Sequence, residues 1–257
     1  MDLITRLRGP IGCRLLIVYR TDPRALAALL PPELAPAEFK GHGLAALVYT
    51  HRVRASGRWW KAPPSQGGDL LSLRFAAQFR GEAPQRAAVW IPRRDTSSGL
   101  SARMSSLLLP GEHQCCDVAL EQTECTLELC VKSTRGEELY LRAGLAGELR
   151  GSLFAHAREL EHWLAEPRIV RPKSPFEALG PEFDRSALAS GRLAAEPIEV
   201  RALRAHPFDD PHIFAPGTVE LDSCWRLVAR RGATEAAPAK LAGLRSVLGA
   251  PAPTHPT

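Results

Sequence analysis

Long runs in which apolar and polar residues alternate with a period of two constrain this chain more than any other feature. Leu44 to Arg54 sets Ala45, Leu47, Tyr49, His51 and Val53 on one face and Ala46, Val48, Thr50 and Arg52 on the other. Asp69 to Arg80 does the same with Leu71, Leu73, Phe75, Ala77 and Phe79 against Ser72, Arg74, Ala76, Gln78 and Arg80. Successive side chains of a strand point to opposite faces, so this period predicts β-strands and excludes helix over these stretches. Alternation fixes two faces without saying which is inside.

Further strands are predicted at Cys13 to Arg20, Ala87 to Pro92, Arg192 to Leu203 and Thr218 to Arg230. Cys115 to Glu121, Thr123 to Ser133 and Glu138 to Leu145 read as a meander, turning at Ser133-Thr134-Arg135-Gly136. Three helices interrupt the strands. Asp22 is placed to cap one that begins at Pro23 and ends before Pro31-Pro32. Asp95 or Thr96 is read as the cap of a second, with Leu100, Met104, Leu107 and Leu108 on its stripe. Ser152 is read as the cap of a third, carrying Leu153, Phe154, Ala157, Leu160 and Leu164. The expected fold class is α+β, mainly antiparallel β, in a single domain over residues 1–232. An Ala- and Pro-rich tail, 233–257, offers little to bury.

Of 257 residues, 33 are Lys or Arg and 28 are Asp or Glu, a net charge of +5 spread along the chain. That balance suits a soluble protein and does not by itself indicate nucleic acid. Arg58-Trp59-Trp60-Lys61 offers one stacking platform, where strand binding takes several along a groove, so it is read as a loop anchored by its tryptophans. No apolar run is long enough to span a membrane and no signal-like segment follows Met1, so a cytoplasmic location without membrane or nucleic-acid partners is expected. The six cysteines, Cys13, Cys115, Cys116, Cys125, Cys130 and Cys224, form no CxxC pair and are read as reduced core residues. Adjacent Cys115 and Cys116 point to opposite faces of a strand, so no metal site is expected there. Dinucleotide, P-loop, zinc-protease and serine-hydrolase signatures are absent, and no cofactor is expected.

Val18-Tyr19-Arg20-Thr21-Asp22-Pro23-Arg24-Ala25-Leu26 and Leu30-Pro31-Pro32-Glu33-Leu34 resemble the N-terminal signature of the acetoacetate decarboxylase-like superfamily. Ala88 to Ser98, Leu109-Pro110-Gly111-Glu112-His113 and Pro216 to Asp222 are similar to its YqjF-like branch, in the same order along the chain. The resemblance implies a closed, cone-like β-barrel with peripheral helices, an interior ligand cavity and, often, homo-oligomers. It also implies a catalytic lysine pair after the proline of Leu109-Pro110. Gly111 and Glu112 stand there, and no Lys-Lys pair occurs anywhere in the chain. A Schiff-base decarboxylase therefore lacks its nucleophile.

Arg20 is the residue that carries over, at a position the family places near the substrate carboxylate. A guanidinium binds carboxylate in a fork, although pairing with Asp22 or Glu33 is an equal claim on it. A closed barrel would let Ser72, Arg74 and Gln78 line the cavity, so Arg74, Tyr49 and Asp222 join Arg20 as candidate ligand-binding residues. His51, His113 and Glu112 are the candidates for acid or base chemistry, His51 by its pKa range and the other two by their place at the lost lysines. Two readings of function follow. One is a barrel binding a small carboxylate or carbonyl compound, with an activity such as hydration or enolisation; the other is a non-enzymatic barrel whose interior is filled.

Overall fold

Ten strands follow one another edge to edge until the last returns to the first. The computed structural model describes residues 11–52, 68–81, 87–108, 111–145, 147–165, 169–170 and 193–229. The strands are β1 (Ile11–Thr21), β2 (Leu34–Pro36), β3 (Glu38–Phe39), β4 (His42–Arg52), β5 (Gly68–Phe79), β6 (Ala87–Thr96), β7 (Glu112–Gln122), β8 (Thr126–Ser133), β9 (Gly136–Gly144), β10 (Ile169–Val170), β11 (Leu193–Pro197), β12 (Glu199–Ala205) and β13 (Val219–Ala229). The helices are α1 (Pro23–Leu29), α2 (Gly99–Leu108), α3 (Ala157–Ala165) and α4 (His206–Asp209). The Trp59-Trp60 pair of the predicted loop and the tail beyond residue 232 lie outside the described residues. No described helix is long and apolar enough to cross a membrane.

Strand order is β11-β13-β1-β4-β5-β6-β7-β8-β9-β12. Its two ends, β11 and β12, are separated in sequence by Ile198 alone, whose N–H donates to Cys224 O (3.0 Å). The path is therefore a nearly closed barrel. The sheet is mainly antiparallel, as expected, with two parallel pairings: β6 pairs in parallel with β7 over Arg93 to Thr96 and with β10 at Ala88 and Val89. Helix α2 supplies the crossover that a parallel connection requires.

Every strand of the path but β11 contributes to one apolar cluster that fills the barrel. Leu15, Ile17, Leu47, Leu73, Leu129 and Leu141 are among its members. A second cluster takes the alternate positions, Leu16, Val18, Val48, Ala76, Trp225 and Leu227, and packs them against Phe154, Leu160 and Leu164 on the outer face. Leu71, Leu73, Phe75 and Ala77 thus point inward, and Ser72, Arg74 and Ala76 point outward beneath α3. This reverses the expectation that the Ser72 and Arg74 face lines the cavity. The inner surface of a closed sheet is the one with no route to water, so it takes the uninterrupted apolar face.

Helix α1 is built as its sequence dictates. Asp22 accepts from Arg24 N (2.7 Å), Pro23 opens the helix, Leu26 is buried, and Leu30 turns extended ahead of Pro31. The other two predicted caps are displaced. Strand β6 continues through Asp95 and Thr96, and α2 begins only at Gly99. Helix α3 begins at Ala157, where His156 Nδ1 accepts from Glu159 N (3.1 Å). The predicted strand from Arg192 to Leu203 is broken at Ile198 into β11 and β12, the corner that closes the barrel.

Ser152, instead of capping α3, donates to Asp222 Oδ2 (2.8 Å). Leu153 N donates to Asp222 Oδ1 (2.7 Å) and Ser223 Oγ to Oδ2 (2.7 Å), so one buried carboxylate ties the segment before α3 to β13. Asp222→Ala strands these donors and should lower stability by about 2 kcal/mol, read as a lower urea midpoint at unchanged m-value. An unshifted midpoint would assign the segment's docking to Phe154 packing instead.

Candidate functional site

A ten-stranded barrel is wider than the eight-stranded size that ordinary side chains fill, and here the two ends of the lumen are filled by different chemistry. At one end Phe208 and Phe214, carried by α4 and the turn after it, enter beside the C-terminus of β1. Tyr19 stacks on Phe208 (3.8 Å between centroids), Phe208 on Phe214 (5.5 Å), and Phe75 meets Phe214 edge-on (6.3 Å). At the opposite end polar groups converge.

The polar end is built by register. β4 carries Tyr49 and His51 on its inner face, and β5 sets Asp69 directly across from His51. Tyr49 Oη donates to Asp69 Oδ1 (2.6 Å) and His51 Nδ1 donates to the same oxygen (2.8 Å). Asp69 is fixed in turn by its backbone, whose N–H donates to Ser97 Oγ (2.8 Å) and whose carbonyl accepts from Ser97 N (3.1 Å). Partial burial pushes the Asp69 carboxyl up, but the hydrogen bonds from His51 and Tyr49 outweigh it and hold the group below the usual carboxylate range. The bond to Asp69 raises His51 above an ordinary histidine, and desolvation opposes it. With Nδ1 committed, Nε2 is the nitrogen that exchanges protons, the arrangement by which a carboxylate orients a histidine base.

A second polar group lies along the wall. Arg93 Nε donates to Asp95 Oδ1 (3.0 Å) and its Nη2 pairs with Glu138 Oε1 (2.7 Å), which Ser133 Oγ also reaches. Desolvation raises Asp95 against the pull of Arg93. Glu138 is also pushed up by burial, yet its bonds to Arg93 and Ser133 leave it lowered. Asp95 and Asp69 both lie within electrostatic reach of Cys116. Burial pushes the Cys13 thiol up to about 11 and Cys116 up to about 12, so neither is a thiolate nucleophile at neutral pH. Cys224 is buried like them, whereas Cys115 and Cys125 are exposed, a departure from the expected all-core placement.

The sequence-derived candidates are divided by the fold. Tyr49 and His51 meet at the polar end. Arg20 lies on the other face of β1, where its Nη2 pairs with Glu220 Oε1 (2.9 Å) and its Nη1 donates to Gly151 O (3.3 Å). Arg74 is on the outer face, and Asp222 anchors the segment before α3. Glu112 starts β7 beside Arg93 in the ladder but is exposed and pairs with Arg135 (3.3 Å). His113, the next residue, alternates to the opposite face from Cys116 and sits half-buried across from Arg94. Gly111, where the sequence resemblance would set the first lysine, has φ +99°, and a Cβ there would stand 2.7 Å from Pro92 O. Any side chain at that position, lysine included, therefore requires the backbone that docks β7 on β6 to shift.

Asp69, Arg93, Asp95 and Glu138 escape a sequence reading. A bulge between Leu73 and Phe75 shifts the β5–β6 register, which turns Arg93 and Asp95 inward where plain alternation is blind to the shift. Asp69 precedes the first apolar residue of its run and looks like a strand boundary.

No protein-family model matches the chain, and no curated protein matches it in sequence. Solved structures do match in shape. The acetoacetate decarboxylase of Legionella pneumophila subsp. pneumophila str. Philadelphia 1 is similar with a TM-score of 0.52 at 12% identity, over 86% of this chain and 86% of that one. A second acetoacetate decarboxylase structure gives 0.49 at 14% identity, over 86% and 85%. The enduracididine biosynthesis enzyme MppR, in complex with pyruvate, gives 0.46 at 12% identity, over 85% and 86%. The chain has an acetoacetate decarboxylase-like barrel fold, and at such identities the likeness extends to the fold alone.

Proposed function

We propose that this protein binds a small carbonyl compound at the polar end of its lumen, and that His51, oriented by Asp69, moves a proton on it. The observation that carries the reading is the convergence of His51 Nδ1 and Tyr49 Oη on one oxygen of Asp69. Proton abstraction beside a carbonyl, as in enolisation, needs an oriented base and no amine nucleophile. The absence of a lysine pair from the sequence and the conformation of Gly111 both argue against Schiff-base decarboxylation. Membership of the YqjF-like branch is part of this proposal and is supported by the motifs Ala88 to Ser98, Leu109 to His113 and Pro216 to Asp222.

Charge narrows the ligand class. Asp69, Asp95 and Glu138 bring three negative charges to this half of the lumen, against Arg93 and a protonated His51. Arg93 is already shared by two carboxylates, and Arg20 faces away, so a neutral carbonyl compound is favoured over a carboxylate.

The test is an NMR titration of the His51 ring with ligand screening. The Asp69 bond stabilises imidazolium, so its contribution to stability is complete below the ordinary histidine value of about 6.5 and is lost as pH rises through the higher folded value. The lowered Asp69 gives a contribution present above its unfolded value and lost as pH falls through its folded one. His51 should titrate above the ordinary value in wild type and fall below it in Asp69→Asn, where desolvation alone remains. Neutral aldehydes and ketones should shift the His51 signals more than matched keto acids; a larger response to the acids, or none to either, sinks the proposal.

The filled aromatic end favours a second reading, a barrel with no enzymatic role. Under it, no carbonyl compound raises the melting temperature and Asp69→Asn changes stability only.

A further inference from the structure

The polar end of the lumen holds a cation that the His51–Asp69 pair leaves unused. Strands β11, β13, β1, β4 and β5 are consecutive in the sheet. On β13, Trp225 and Leu227 belong to the outer cluster, so Arg226 between them turns inward beside its ladder partner Leu15. Cys13, on the same face of β1, stands across from His51 and lies within electrostatic reach of both Arg226 and Asp69. Arg226, Cys13, His51 and Asp69 thus form one arc along the inner wall of the barrel. The side chains of Arg226 and His51 are 24% and 23% exposed, so the arc is open to a molecule arriving from solvent. Arg226 Nη2 pairs with Glu196 Oε2 (2.6 Å), but its Nε is buried with no hydrogen-bond acceptor among the described residues. A buried donor left unpaired costs about 1–3 kcal/mol, which an oxygen brought by a ligand would recover.

We propose that Arg226 holds the carbonyl oxygen of the ligand while His51 removes a proton from the neighbouring carbon, an inference that rests on the reading of His51 as the base. His51 Nε2 takes the proton, the C–H electron pair becomes the C=C bond of an enolate, and the carbonyl π pair moves onto the oxygen, where Arg226 donates to it. The imidazolium then returns a proton to carbon, so no further reactant is needed. A donor fixed at an oxygen that gains charge lowers the barrier more than it strengthens ground-state binding. Charge fits the same class of ligand. With His51 neutral, as a base must be, the arc and its ion pair carry two carboxylates, Asp69 and Glu196, against one guanidinium, which disfavours a ligand that arrives as a carboxylate. Once the proton has moved, imidazolium and enolate compensate each other.

The test uses the full chain with butanone as the probe. In nitrogen–proton NMR spectra the Nε–H signal of Arg226, identified by its loss in Arg226→Lys, should shift on titration and saturate together with the His51 ring signals. In heavy water, wild type should exchange the protons beside the butanone carbonyl for deuterium, and Arg226→Gln should exchange them about 100-fold more slowly. Glu196→Gln breaks the same ion pair but keeps the donor, so it should hold the wild-type rate. Equal loss in both variants would make the pair structural and overturn the assignment. If Arg226→Gln does not fold, the Nε–H titration of wild type decides. His51 signals that saturate with the Arg226 signal unmoved, or exchange undiminished in a folded Arg226→Gln, overturn the role of Arg226 and leave His51 as the base. A response from neither residue, or bound butanone that never exchanges, overturns both.

Discussion

Arg93→Met should cost about 3–5 kcal/mol of folding stability, the largest effect of any substitution in the polar half of the lumen. Arg93, Asp95 and Glu138 expose only 12%, 4% and 3% of their side chains, and the guanidinium is the cation that both carboxylates share. Removing it leaves two buried acids facing each other across the gap. Burial then raises both, so each binds a proton in the folded state at a pH where it is ionised in the unfolded chain. Stability of the variant therefore rises as pH falls toward the carboxylate range, and its deficit shrinks. Urea denaturation at about pH 7 and about pH 4.5 reads this directly, the gap to wild type being wider at the higher pH. Adding Glu138→Gln to Arg93→Met should recover part of the loss at neutral pH. A uniform deficit at both pH values, with no recovery from Glu138→Gln, would mean that Arg93 contributes through packing and not through charge.

Gly111→Ala should be nearly as damaging. The φ of +99° by itself costs a residue with a Cβ about 1–3 kcal/mol, and the overlap with Pro92 O and Ile91 O adds to it, since backbone oxygens in a sheet have no room to retreat. Gly111 introduces β7, and β7 docks in parallel on the Arg93 to Thr96 half of β6, so a shift there also disturbs the Arg93 network. Gly111→Lys then serves as a control on function. Although it restores the residue type that the superfamily resemblance places there, it should unfold the protein or leave it inactive on acetoacetate, with no imine trapped by borohydride. A folded Gly111→Lys that forms such an imine would show that the backbone at Gly111 adapts, and would return decarboxylase chemistry to consideration.

Much of the architecture was legible because it depends on local periodicity. The alternation of Leu44 to Arg52, the described part of the strand expected to run to Arg54, that of Asp69 to Phe79, the meander from Cys115 to Leu145 and the Asp22-Pro23 helix start all appear as expected, since a pleated strand and a capped first turn are settled by neighbours in sequence. Tyr49 and His51 were legible as partners on one face for the same reason. Errors arose where a residue's role depends on something distant. Ser152 has the composition of a helix cap but finds the Asp222 carboxylate of β13, and Asp95 likewise looks like a cap yet is held inside the barrel by Arg93.

What the sequence determined by itself was the long strands, their two faces, and the absence of any Lys-Lys pair. These need only the period of the chain and the identity of its residues. Tertiary structure decided which face is inside, because only closure of the sheet through Ile198 removes one surface from water and leaves the other to be covered by α3. It also decided the candidate site. Asp69 becomes the partner of His51 through the β4–β5 register, and Arg93 turns inward through a one-residue bulge, relations between strands that no single strand encodes.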